Sequence, residues 1–262
     1  MCVVVYKPAE ADLPDYETLK RCFNKNPNGA GYMFVKDNKV HIRKGYTDFD
    51  TFYEHLTRDY MTQDGAFVMH FRITTHGGTK PENTHPFPVS KNILDLTALD
   101  CSSEIGVAHN GILDISSKLA GQYSDTQMFI TNYLALLVKN NPKYYKDYDI
   151  KMLINDMIGG YNKLAILSSD GHCELFGNFN EHDGCYYSNY SWEDYKPSSC
   201  DNDDMCLYDR CTMYQDYWDK CYDDNTGMYD FDSDFCPFSA NGTSLFCYGC
   251  SNRNKCKYFN KK

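Results

Sequence analysis

The first six residues, Met1-Cys2-Val3-Val4-Val5-Tyr6, constrain the fold more than any other stretch of the chain. A short, continuous, β-branched apolar run reads as a strand buried on both faces, since a half-exposed strand alternates polar and apolar side chains. Such a strand needs layers packed above and below its sheet. Cys2 stands at the root of this strand. An aminopeptidase that removes Met1, as a small second residue permits, leaves Cys2 with a thiol and a free α-amino group. Nucleophile and base then sit on one residue. On this stretch alone the favoured reading of Cys2 is an ordinary small second residue, and only the rest of the chain changes that.

The remaining pattern is strands, then two helices in succession, then strands. Asp15 to Asn24 carries a helical stripe at Leu19, Cys22 and Phe23, and Asn28-Gly29-Ala30-Gly31 ends it. Tyr32 to Val35 and Val40 to Arg43 form an expected hairpin through Asp37-Asn38, a turn that is not the favoured Asn-Gly. Asp48 to Tyr60 fits a helix with Phe49, Phe52, Tyr53 and Leu56 on one side. Strands follow at Ala66 to Ile73 and Ile105 to Ala108, the latter meeting a tight turn at His109-Asn110-Gly111. Ser124-Asp125-Thr126-Gln127 has the spacing of a capping box before the stripe Met128, Tyr133, Leu136, Leu137. A second helix is expected over Ile150 to Ile158, stopped by Gly159-Gly160. Leu164 to Leu167, Cys173 to Phe176 and Cys185 to Tyr190 return to strand. This order does not alternate as a parallel βαβ sheet requires, so the expected class is α+β, with helices outside stacked, mostly antiparallel sheets.

Size and charge narrow the partners. A chain of 262 residues can bury one large core with a small appendage. Its net charge of -10 counts against direct nucleic-acid binding and against anionic membranes, both of which need excess Lys and Arg. No apolar run reaches the length of a membrane span, and the start lacks the basic and hydrophobic regions of a signal peptide. Thirteen cysteines without an export signal point to reduced thiols or metal ligands and to a cytoplasmic protein. Composition shifts near residue 192: Val, Ile and Leu become scarce while Tyr, Asp and Cys crowd in. The expected division is a domain over 1–192 and an acidic, Tyr- and Cys-rich tail over 193–262, a segment that cannot build a core by burial alone.

Three polar clusters fall where expected strands end or helices begin: Arg72 with Thr75, His76 and Gly77-Gly78; Asn110-Gly111; and Asp125. Each has an ordinary explanation, as a strand arginine, a turn and a first-turn helix acid. Together with Cys2 they carry a resemblance. The Met-Cys start, HFRITTHGG at 70–78, AHNGIL at 108–113 and SDTQ at 124–127 resemble the class II glutamine amidotransferase (glutaminase) domain of the N-terminal-nucleophile hydrolases. KLAIL at 163–167, LFG at 175–177 and YYSNYSW at 186–192 resemble the closing strands of its small stand-alone members. The likeness covers roughly residues 1–192.

The resemblance implies a four-layer αββα N-terminal-nucleophile fold with a Cys-rich C-terminal extension. It implies an enzyme, an amidohydrolase that releases ammonia from glutamine through a Cys2 thioester and needs no cofactor for that step. Cys2 is the implied nucleophile, and the Asn110 side chain and Gly111 N–H are the implied oxyanion donors. Arg72, a planar, bidentate cation, is the implied partner of the substrate carboxylate, and Asp125 the implied partner of the substrate ammonium. Thr75, His76 and Gly77 belong to the loop lining the glutamine pocket. A Cys/His dyad using His70, His76 or His109 is the alternative base. Nothing in the sequence resembles an ammonia-accepting site, so the acceptor is expected on a separate synthase protein, which would make the transferase activity a shared one. Two rival readings remain: an amidase or peptidase of the same superfamily acting on another amide, and a catalytically idle protein that binds partners through its acidic tail. In the tail, Cys236, Cys247, Cys250 and Cys256 carry one Cys-x-x-Cys pair. They read either as ligands of a structural zinc or as reduced cysteines without metal.

Overall fold

The computed structural model describes residues 2–63, 65–73, 80–115, 123–138, 141, 143–194, 222–223 and 228–229. The chain divides into two compact units, Met1–Asp194 and Tyr195–Lys262. In the first, β1 (Val3–Lys7), α1 (Tyr16–Lys25), β2 (Ala30–Lys36), β3 (Lys39–Tyr46), α2 (Phe49–Tyr60) and β4 (Phe67–Phe71) come first. They are followed by β5 (Phe87–Pro88), β6 (Asp100–Ser103), β7 (Ile105–Asn110), α3 (Asp125–Phe129), α4 (Ala135–Val138) and α5 (Tyr148–Ile158). The unit closes with β8 (Lys163–Ser168), β9 (Cys173–Phe176), β10 (Asn180–His182) and β11 (Cys185–Tyr187). In the second unit the described residues form β12 (Tyr222–Asp223), paired antiparallel with β13 (Met228–Tyr229).

The strands make a seven-stranded sheet, ordered β10-β11-β1-β4-β2-β3-β6, and a four-stranded sheet, β5-β7-β8-β9. All described pairings in both are antiparallel, and the class is α+β. β1 lies inside the larger sheet, flanked by β11 and β4.

Burial follows the period-two alternation of a strand. Val3, Val4 and Val5 are all 0% exposed. Val3 and Val5 pack with Leu19, Phe23, Phe49, Phe52 and Leu56 of α1 and α2. Val4 points the other way, into a core shared with Met33, Val68, Ala108, Ala165 and Leu167, drawn from both sheets. A third core joins β7 and β8 to α3, to the turn at Ile130–Leu134 and to α5 through Val107, Ile166, Phe129, Leu134 and Ile154. The sheets approach so closely that a Cβ on Gly106 would lie 2.5 Å from the Met33 sulfur. A larger residue there would have to push the Met33 side chain aside.

Two local expectations need correcting. The stripe Met128, Tyr133, Leu136, Leu137 lines the core only in part: Met128 is buried and Leu137 packs against the core, but Tyr133 and Leu136 are exposed, and Phe129, Ile130, Leu134, Ala135 and Val138 are buried as well. A π-helical turn over Ile130–Leu134 shifts the phase, because each of its turns contains one residue more than the α spacing assumes. The last strand stops at Tyr187 rather than Tyr190. Beyond it, the side chains of Ser188 and Asn189 continue the contacts that backbone groups would make. Among the described residues no helix is long and apolar enough to cross a membrane.

Candidate functional site

Register brings the site residues together. Val3 pairs with Phe71 and Val4 with His70, so Cys2 lies across from Arg72, one residue beyond the ladder. Val4 faces the core between the sheets, so the two-residue period puts Cys2, and Arg72 opposite it, on that same face. In β7, Ala108 faces the same core from the other sheet, and Asn110 follows it by two. Cys2, Arg72 and Asn110 thus meet at one end of the layer between the sheets.

The Cys2 Sγ–H donates to the Ile73 carbonyl at 3.4 Å, and Asn189 Nδ2 donates to the Cys2 carbonyl at 2.7 Å. Burial pushes the thiol upward. The Ile73 backbone and the Arg72 guanidinium act against that rise. Arg72 is itself buried, and its backbone is fixed by the Gly29 carbonyl and the Asn28 N–H, each at 2.8 Å. Burial lowers its pKa, while Cys2 and Asp125 favour its charged form.

Ser188 ties the two sheets together beside the thiol. Its Oγ accepts the Val4 N–H at 2.8 Å and lies 2.9 Å from Asn110 Nδ2. Asn110 Oδ1 is buried and has no hydrogen-bond partner. Gly111 holds φ at 142°, and a Cβ there would stand 2.1 Å from Asn162 Oδ1. Asp125 follows the N-cap Ser124, whose capping box with Gln127 is complete. One Asp125 oxygen accepts the Leu113 N–H at 2.7 Å and the other accepts the Thr126 N–H at 2.7 Å. The carboxylate therefore fastens the segment after Gly111 to α3.

Three buried histidines lie behind this face. His109 Nδ1 is 2.8 Å from Thr126 Oγ1, and its Nε2 is 2.8 Å from Asn162 Oδ1. The amide oxygen can only accept, so His109 carries its proton on Nε2 and Nδ1 accepts the threonine hydroxyl. His70 Nε2 donates to the His109 carbonyl at 3.1 Å, and the His85 ring sits 4.3 Å from that of His70. Desolvation pulls His70 down to about 3, and lowers His85 and His109 as well. The recorded hydrogen bonds of His70 and His109 run to groups other than Cys2, which gives no support to a dyad through either ring.

Thr75, His76 and Gly77 lie outside the described residues, as do Cys236, Cys247, Cys250 and Cys256. Among the described residues no group of three or more His, Cys, Asp or Glu is placed to hold a metal. Ser188, Asn189 and Asn162 carry no individual signal in the sequence. The first two sit inside YYSNYSW and the third immediately before KLAIL, so adjacency to those motifs was the available signal. No protein-family model matches this chain, and no curated protein matches its sequence.

Proposed function

We propose that residues 1–192 form a four-layer αββα N-terminal-nucleophile domain of the class II glutaminase type, which hydrolyses the side-chain amide of glutamine. The supporting observation is the convergence of Cys2, Arg72 and Asn110 on one face at one end of the layer between the sheets. Once Met1 is removed, the Cys2 α-amine takes the thiol proton and the sulfur attacks the amide carbon. Asn110 and the Gly111 N–H stabilise the oxyanion, and Arg72 holds the substrate carboxylate. Collapse expels ammonia, which leaves with the proton held by the amine, and water then cleaves the thioester to glutamate. Burial that disfavours a resting thiolate suits a nucleophile deprotonated only as it attacks. The ammonia passes to an acceptor on another protein.

One observation favours a neighbouring reading, an amidase for a different γ-glutamyl or acyl amide. Both oxygens of Asp125 already accept backbone N–H groups, which leaves it fewer lone pairs for a free α-ammonium. The tail, with its cysteines bound to zinc, is proposed as the docking module for a partner. The primary test is mass spectrometry and ammonia release: purified protein should lack Met1, react with an electrophilic glutamine analogue at Cys2, and liberate ammonia from glutamine. Active protein that retains Met1 contradicts the mechanism. Arg72→Ala should raise KM for glutamine strongly, whereas an unchanged KM supports the other amidase.

A further inference from the structure

The Ser188 hydroxyl can accept two hydrogen bonds and must find an acceptor for its own proton. It is 1% exposed, accepts the Val4 N–H, and has the Asn110 amide as its other side-chain neighbour. With nitrogen toward Ser188, two donors converge on Oγ and the amide oxygen is left buried without a partner. The two ends of an amide have the same shape, so the surrounding network decides their order. Exchanging them lets Val4 N–H donate to Ser188 Oγ, and Ser188 O–H donate to Asn110 Oδ1. Asn110, 2% exposed, then holds its N–H2 group unpaired at the position the oxygen had occupied. A buried, unpaired donor is costly, a cost removed when a negative oxygen forms beside it.

Resting on the glutaminase reading, we infer that Ser188 is a positioning residue: its hydroxyl fixes the Asn110 amide with nitrogen outward, so that the oxyanion donor is oriented before substrate arrives. The same Oγ holds Val4, two residues from the nucleophile, so one side chain sets the spacing of donor and thiol across the two sheets. This is preorganisation in the literal sense: no group rotates during the reaction.

The experiment compares wild type, Ser188→Ala and Ser188→Thr. It measures kcat and KM for glutamine, and inhibition by the aldehyde analogue of glutamine, which forms a tetrahedral adduct with Cys2. Inhibition by glutamate, which forms none, is the control. Ser188→Ala should lower kcat roughly 10- to 100-fold and weaken the aldehyde by a similar factor, with KM and glutamate inhibition within about two-fold. Ser188→Thr, which keeps the hydroxyl, should restore most of both. Where Ser188→Ala fails to fold, Ser188→Cys carries the same comparison with a weaker hydrogen-bonding group of similar size. Unchanged kcat and aldehyde affinity, or equal weakening of aldehyde and glutamate, overturns the inference while leaving the glutaminase reading intact. A wild-type protein that releases no ammonia from glutamine removes both.

Discussion

Gly111 shows how little freedom the site allows at single positions. Its φ of 142° is unfavourable to any side chain, and the space a methyl would need holds the Asn162 amide. Asn162 also accepts from His109 and donates to the Ile158 carbonyl at 2.6 Å, so displacing it disturbs both partners. Gly111→Ala is expected to cost about 1–3 kcal/mol and to abolish most turnover; wild-type urea stability together with wild-type kcat would refute this. The buried histidines give a second expectation. Unfolded, each takes up a proton near pH 6.5, whereas burial, aided at His70 by Arg72 and at His85 by Lys44 and Arg72, keeps the folded rings neutral. Lys163 also opposes protonation of His109, and Asp125 favours it. Stability is thus full above about pH 6.5 and drains as pH falls below it; His70 contributes down to about pH 3, at up to roughly 1.4 kcal/mol per pH unit, and His85 and His109 act in the same direction. Urea midpoints at pH 7.5, 6 and 5 read this directly. A flat profile would mean that the folded rings titrate normally.

At the scale of elements, α3 carries Asp125 at its first turn, and Ser124 sets where that turn begins. Its Oγ accepts the Gln127 N–H at 3.2 Å, while Gln127 Oε1 accepts the Ser124 N–H at 2.9 Å. Ser124→Ala should cost about 1 kcal/mol and loosen the Leu113 segment, seen as faster amide exchange at Leu113 than at Val107. Much of this level was legible. The helices at 16–25 and 49–60 begin after Asp15 and Asp48, acids that cap their first turns as their chemistry favours. The hairpin through Asp37-Asn38 succeeds without Asn-Gly because both residues take positive φ, at 51° and 55°, a region Asp and Asn tolerate. The π turn at 130–134 was hidden, since nothing in the spacing of apolar residues marks where the helical period lengthens. β5, β6 and β10 were missed for another reason. At two to four residues, they exist through their partners rather than through any pattern of their own. In the site, Arg72 and Asn110 were placed by motif, but their meeting with Cys2 depends on register across two sheets, which no local window contains.

For the whole molecule, the first unit closes with its last few residues. The Trp192 ring stacks on His182 at 3.8 Å, the Trp192 carbonyl accepts from Arg21 Nε at 2.7 Å, and the Glu193 carbonyl accepts from Lys25 at 2.8 Å. A chain ending at Asp194 should melt with the stability of the first unit intact. One ending at Tyr190 should lose several degrees in Tm through the missing aromatic packing. Identical melting of the two would show that these contacts contribute nothing. The same register that builds the site also sets a schedule. β1 leaves the ribosome well before one of its two neighbours, β11, which lies about 180 residues downstream. At roughly 5–20 residues per second, the opening strand waits on the order of ten to forty seconds before that flank can close. If Met1 is removed as proposed, that interval is when enzymes that trim nascent ends can reach it. On the proposed reading, the amine that drives catalysis is made during synthesis, and folding then seals it in place.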